Sequence, residues 1–301
     1  MTKILPEFKV IDILQDSPRF LVQKVSYKGS AAVFKWAKTA KMATNLEYEL
    51  LAYQVYDLMT QQSGCPFKVT SVLGSGDDWI LLDFISGKTM SELMVNSNKT
   101  ELYKQLASIM AFCDNKVKLT FDDSPIKFTQ FQLKKNRSRL IKIKSNLVKL
   151  DQYDAEFLRG KVEQATEYYL KNSPDLQTCF VNADLTPSHV MISEQGPVIF
   201  DFENVRLFGA RFSDVINVFT KIWFLDDDKD LAQKFYNSFW EQVAEKPQAY
   251  SQQIKTLVAL RCVGFTDELL TSPNQYHNTK LSMTPQYAKN IEQVYDWANS
   301  I

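Results

Sequence analysis

Residues 181–192 read Val181-Asn182-Ala183-Asp184-Leu185-Thr186-Pro187-Ser188-His189-Val190-Met191-Ile192, and residues 198–203 read Val198-Ile199-Phe200-Asp201-Phe202-Glu203. A β-type run enters the first stretch, Pro187 marks a loop, and a second β-type run leaves it. Glu194-Gln195-Gly196 turns the chain, so 190–193 and 197–202 read as two short strands of a hairpin. The result is two carboxylates, Asp184 ahead of the hairpin and Asp201 near its end, with His189 between them. Two acids in one cleft can divide labour: one orients a nucleophile and takes its proton, and the other holds a divalent cation. Each acid alone reads as an ordinary loop cap at a strand end. The two together point to chemistry.

Upstream, 8–14, 20–27 and 31–36 are β-type runs broken by Asp16-Ser17-Pro18 and Lys28-Gly29-Ser30. They predict an antiparallel meander. A helix is predicted over 44–60, with Met42, Leu46, Leu50 and Tyr53 on one face and Leu51, Val55 and Leu58 on another. A helix apolar on two faces predicts packing on two sides. Residues 67–73 and 79–85 predict a hairpin turning at Gly74-Ser75-Gly76-Asp77-Asp78. Lys35 is a lone cation in an apolar strand, on the same face as Val33 and Ala37. It reads either as an edge-strand lysine in solvent or as a lysine that reaches phosphates. The second reading needs an anionic partner, because an unpaired buried charge costs several kcal/mol by order of magnitude. Glu49 shares a helix face with Leu46, Leu50 and Tyr53, which makes it the better candidate than Glu47.

After Gly87 the pattern turns helical, over 99–113, 126–149, 151–172 and from 213 to the end. The basic run Lys134, Lys135, Arg137, Arg139, Lys142 and Lys144 reads as a solvated helix face, and Asp226, Asp227, Asp228 and Asp230 as an acidic helix start. The expected class is α+β, with a β-rich part over 1–86 and a helical part over 87–301. The 301 residues are 45% hydrophobic and 23% charged, which excludes a disordered or fibrous chain. Lys plus Arg and Asp plus Glu each number 35, so no whole-chain basic footprint for nucleic acid exists. Cys65, Cys113, Cys179 and Cys262 form no metal-cage or disulfide pattern. No apolar run reaches the ~18 residues of a membrane span. The expectation is a soluble cytoplasmic protein with no nucleic-acid or membrane partner; the sequence leaves its oligomeric state open.

The order Lys35, Glu49, Asp184, His189, Asp201 resembles the protein-kinase-like superfamily, and most of all its aminoglycoside phosphotransferase and choline kinase branch. The resemblance implies a two-lobed kinase-like fold. It also implies ATP or GTP as phosphate donor, Mg2+ or Mn2+ as metal, and the hydroxyl of a small molecule as acceptor. By this resemblance Asp184 matches the catalytic acid and Asp201, in Asp-Phe-Glu, the metal-binding acid. Lys35 and Glu49 match the phosphate-gripping pair, and Ser17 lies at the nucleotide loop. The backbone of Asp83 and Ile85 matches the hinge that meets the base, and Asp214 matches an acid bracing the catalytic loop.

Two positions depart from the pattern. Asn182 stands where the family has His, and His189 where it has a metal-binding Asn. Mg2+ prefers oxygen, while imidazole suits softer ions. His189 therefore reads as a ligand of Mn2+ or Mg2+, as a direct phosphate contact, or as the mark of a nucleotide-binding module with little turnover.

Overall fold

Alternation of apolar residues with period two, bounded by turn residues, builds β1 (Lys9–Asp16), β2 (Phe20–Tyr27) and β3 (Ser30–Ala37) as an antiparallel meander. Lys28 and Gly29, both at positive φ, make the two-residue turn that matches the twist of the flanking strands. The computed structural model describes residues 6–116, 152–172, 176–271 and 284–301. It resolves into two units, Met1–Lys116 with Asn182–Arg206, and Val117–Val181 with Leu207–Ile301. The class is α+β, with an N-terminal antiparallel sheet and helix and a helical C-terminal region, as expected.

In the first unit, α1 (Ala40–Thr60) follows β3. Thr39 caps it, its hydroxyl accepting from the Met42 N–H at 3.3 Å, so the helix starts four residues before the predicted position. Met42, Leu46, Glu49, Ala52, Tyr53, Tyr56 and Met59 are buried along one face. The predicted second packed face is not there: Leu51 is 37% exposed and Leu58 63%. One-sided burial is enough to hold a helix against a sheet.

Two further strands, β5 (Val72–Gly76) and β6 (Trp79–Asp83), complete a sheet in the order β1-β2-β3-β6-β5. The predicted hairpin is present but its turn shrinks to Asp77-Asp78. Gly76 stays in the strand because its missing side chain makes room for the Trp79 indole, which a Cβ there would overlap. The residues just before, β4 (Lys68–Val69), leave this sheet and pair in parallel with a later strand. One sheet face buries Val25, Ala32, Phe34 and Leu81, flanked by Phe8, Tyr27, Trp36 and Trp79.

The second sheet of this unit has the order β4-β10-β9-β7, with β7 (Lys88–Thr89), β9 (Val190–Ser193) and β10 (Gly196–Ile199). The strand predicted over 197–202 stops at Ile199, because Asp201 adopts φ +61 and breaks the extended backbone. Gly87 lies so close to the Ile192 carbonyl that a Cβ there would overlap it. α2 (Met90–Leu93), with a capping box of Thr89 and Glu92, and α3 (Lys99–Lys116) follow.

The second unit holds α4 (Gln152–Asn172), the strand pair β8 (Thr178–Val181) and β11 (Arg206–Ala210), and the helices α5 (Ser213–Leu225), α6 (Lys229–Trp240), α7 (Ser251–Thr271) and α8 (Thr284–Ser300). Its core is aromatic, with the Phe219 and Trp297 rings 4.4 Å apart and Tyr236 and Trp297 5.0 Å apart. Half of the acidic cluster is a helix start as expected, with Asp228 capping α6 through the Leu231 N–H and Asp230 in its first turn, whereas Asp226 caps the end of α5 and Asp227 accepts from Asn290 Nδ2 at 2.8 Å. Asp214 sits in the first turn of α5. The helix predicted over 126–149, with its basic run, lies outside the described residues. The four cysteines are free thiols. Among the described residues no helix is long and apolar enough to cross a membrane.

Candidate active site

β3 is the central strand of its sheet, with Lys35 facing Val22 on β2 and Ile80 on β6. The solvent-facing edge lysine is thereby excluded: Lys35 is only 6% exposed. Its ammonium donates to Glu49 Oε2 at 2.9 Å and to Asp201 Oδ1 at 2.9 Å, and lies 4.0 Å from Glu203 Oε2. It also stands 4.7 Å from the centre of the Phe20 ring. Burial pulls the Lys35 pKa down, but the Glu49 and Asp201 carboxylates outweigh it and hold the amine firmly protonated. Burial raises the Glu49 carboxyl, with Lys35 opposing. Glu47 is exposed, and Glu49 is the helix acid bonded to Lys35.

Asp201 is fixed from several sides. Its backbone N–H donates to the Tyr53 hydroxyl at 3.4 Å. Phe202, fully buried, stacks on Tyr56 at 4.5 Å and meets the edge of Tyr53 at 4.7 Å. α1 thus supplies both the Glu49 carboxylate and the aromatic seat that holds the Asp-Phe-Glu segment. Burial would raise the Asp201 carboxyl, but Lys35, helped by His189 and the Glu203 N–H, holds it below the ordinary carboxylate range. Burial, with the same two carboxylates nearby, pushes the Tyr53 hydroxyl well above its usual range.

Asp184 follows Ala183, a non-glycine residue at φ +64. Its Oδ2 accepts from Asn204 Nδ2 at 3.1 Å. Asn182 is buried and accepts the Asp184 N–H at 3.3 Å, so it shapes the loop. His189 Nδ1 lies 2.5 Å from the Asp184 carbonyl oxygen. A carbonyl only accepts, so Nδ1 carries a proton, and in the neutral ring the Nε2 lone pair is the one that faces a ligand.

A cavity of about 270 Å³ opens beside Lys35. Leu14, Val22, Val33, Leu82, Phe84 and Met191 supply apolar walls, and Lys35 and Asp201 a charged end. Asp83 and Ile85 line it as well. The Asp83 N–H is bonded to the Ser71 carbonyl at 2.9 Å, and its own carbonyl accepts from Thr70 Oγ1 at 2.8 Å, keeping a second lone pair. A larger and more open cavity, about 970 Å³, also borders residues 83–87 but does not include Lys35.

The structure therefore brings Lys35, Glu49 and Asp201 into direct contact and sets Asp83 and Ile85 on the walls of the same cavity. Asp184 and His189 touch each other through a backbone carbonyl. Sequence reasoning missed Tyr53 and Asn204 as partners of the two acids, and Phe202 as an anchor. Tyr53 shares the Glu49 helix face, which was a readable signal. Nothing local marks Asn204.

A model of the phosphotransferase enzyme family matches residues 13–247. The chain belongs to that family. Solved structures agree on the fold. The streptomycin–ATP ternary complex of APH(2")-IIa is 15% identical, with 95% of this chain and 93% of that one covered at a TM-score of 0.55. Spectinomycin phosphotransferase APH(9)-Ia, in complex with ADP and spectinomycin, is 12% identical, with 98% and 93% covered at 0.53. Choline kinase from Cryptosporidium parvum Iowa II is 14% identical, with 98% and 89% covered at 0.51. At such identities the likeness establishes a kinase-like phosphotransferase fold. A comparison with curated protein sequences gave no match.

Proposed function

We propose that this phosphotransferase moves the terminal phosphate of ATP or GTP to a hydroxyl of a small molecule. One observation carries the reading: a buried lysine, bonded at 2.9 Å to both a helix glutamate and the Asp-Phe-Glu aspartate, stands at the charged end of an apolar cavity. Lys35, held by Glu49, neutralises charge on the inner phosphates. The Asp83 carbonyl and the Ile85 backbone meet the base. Asp184 orients the acceptor hydroxyl and takes its proton. Residues 1–86, joined by Met191 and Asp201 on the wall of the same cavity, form the nucleotide side, and the helical remainder of 87–301 the acceptor side.

Metal fits this site in a particular way. Among the described residues no three His, Cys, Asp or Glu side chains converge on one point. Mg2+ or Mn2+ in phosphoryl-transfer sites takes one or two protein ligands and completes its shell with phosphate and water. Asp201 and His189 Nε2 would hold it, and when bound it supplies charge neutralisation to the phosphates.

A second reading, a nucleotide-binding pseudokinase or regulatory module, draws on His189 at the usual asparagine position. Solubilised nucleotide complexes separate the two. ATP consumption measured with a library of amino sugars, choline-like alcohols and other hydroxyl compounds should find an acceptor whose phosphorylation Asp184→Ala abolishes. Tight nucleotide binding with no turnover across the library would favour the second reading.

A further inference from the structure

The turn between β1 and β2 has no free backbone donor. The Ser17 N–H donates to the Phe20 carbonyl at 3.0 Å. Residue 18 is proline and has no N–H. The Arg19 and Phe20 N–H groups both donate to Ser17 Oγ, at 3.3 and 3.0 Å, and that hydroxyl donates in turn to the Phe20 carbonyl at 3.1 Å. The Arg19 carbonyl accepts from the Lys38 N–H at 3.0 Å, which ties the turn to the end of β3. Glycine-rich phosphate loops grip with backbone N–H groups. Here every such group from 17 to 20 is taken, and Ser17 acts by fixing the turn.

What the turn still offers is Arg19, whose side chain is 54% exposed. It does not point away. Its Nη2 lies 3.0 Å from Glu203 Oε1, two residues past Asp201. Glu203 also stands 4.0 Å from the Lys35 ammonium, so it keeps a cationic neighbour if Arg19 leaves. The Arg19 guanidinium and the Lys35 ammonium both face the Phe20 ring, at 5.9 and 4.7 Å. The two cations therefore flank the same place.

We propose that Arg19 is the phosphate-binding residue of this turn, parked on Glu203 when no nucleotide is bound and transferred to the outer phosphates when one is. A planar guanidinium matches phosphate oxygens in pairs, and trading one carboxylate for a triphosphate raises the negative charge it meets. The inference rests on the nucleotide-binding reading above. Glutamate and phosphate compete for one cation, so Arg19 changes partner when the more highly charged donor arrives.

The test is calorimetric titration of the full chain with adenosine, AMP, ADP and ATP, with and without Mg2+, using wild type, Arg19→Ala and Arg19→Lys. Arg19→Ala should weaken ATP about tenfold to hundredfold, by the size of a charge-assisted hydrogen bond, and leave adenosine within twofold. Arg19→Lys should recover part of the loss, because charge returns without the paired geometry. Unchanged ATP affinity in Arg19→Ala, or an equal loss for adenosine and ATP, overturns the role of Arg19. If wild type binds none of the four compounds, the nucleotide reading itself fails, which is a separate result.

Discussion

The two acids of the site live in opposite surroundings. Asp201 is gripped by a buried lysine, by a tyrosine hydroxyl on its backbone, and by a phenylalanine next to it wedged between two aromatic rings. Asp184 sits in a half-buried loop, and among the described residues its carboxylate holds one hydrogen bond, from Asn204. A group that must carry charge in one place is over-determined. The proposed base, Asp184, would need oxygen lone pairs free for an incoming hydroxyl, at the cost of contacts that would stabilise the fold. The difference predicts that damage around Asp201 appears as lost stability, and damage at Asp184 as lost turnover.

Lys35→Met presses hardest on the gripped side. It leaves Glu49 and Asp201 without their cation, and removing one partner of a buried pair costs about 3–5 kcal/mol. Urea unfolding should show that loss, and nucleotide binding should vanish with it. Asp184→Asn tests the open side. Turnover should fall about 10²- to 10⁴-fold, the usual worth of a positioned general base, while the unfolding midpoint and ATP affinity stay close to wild type. A large stability loss in Asp184→Asn would erase the contrast between the two acids.

Asp201→Asn reads the pH side of the same contrast. The folded protein holds the Asp201 carboxyl below its unfolded value of about 3.9, so its contribution is present above that pH and is lost as pH falls through the folded value. Lys35 has the opposite sign: its folded value is raised, so its contribution is complete below about pH 10.4 and is lost only as pH rises through that folded value. Wild type and Asp201→Asn should differ by about 1.5–3 kcal/mol at neutral pH, the size of a hydrogen bond to a charged group. That difference, read from unfolding curves, should hold above about pH 3.9 and shrink as the pH is taken below it. Parallel curves would mean that Lys35 does not hold the carboxylate.

Much of this was legible in the chain. Period-two runs and turn residues located β1 to β3, and residue spacing along α1 chose Glu49 over Glu47 before any contact was known. Lys35 could be named but not placed, because strand order is a tertiary fact: only pairing with β6 makes β3 central. The second apolar face of α1 misled for the same reason, since periodicity reports which residues share a face and not whether anything covers it. The departure of β4 from its expected hairpin was hidden because two residues carry too little pattern to announce a partner more than a hundred residues away. Phe202 shows what the motif conceals. Its two acidic neighbours draw attention, yet its ring is what seats them. Phe202→Leu should cost about 1–2 kcal/mol through the lost aromatic pairs and the changed shape. It should also weaken ATP binding more than a comparable core change in the second unit, such as Phe235→Leu.

The smallest effect is the most telling about chemistry. His189 Nδ1 is committed to the Asp184 carbonyl, which in the neutral ring fixes the tautomer and makes Nε2 the lone-pair donor. The same bond ties the proposed metal ligand to the backbone of the proposed base, so the tight and the open side of the site meet at this imidazole. Exchanging nitrogen for amide oxygen by His189→Asn should barely move the unfolding midpoint, because the ring is only half-buried. It should lower the Mn2+ over Mg2+ preference of the ATP complex several-fold, since imidazole favours the softer ion and the amide oxygen does not. Electron paramagnetic resonance of bound Mn2+ reads this directly: nitrogen hyperfine coupling present in wild type should disappear in the variant. An unchanged spectrum would remove His189 from the metal shell and leave it as the residue that shapes the Asp184 loop.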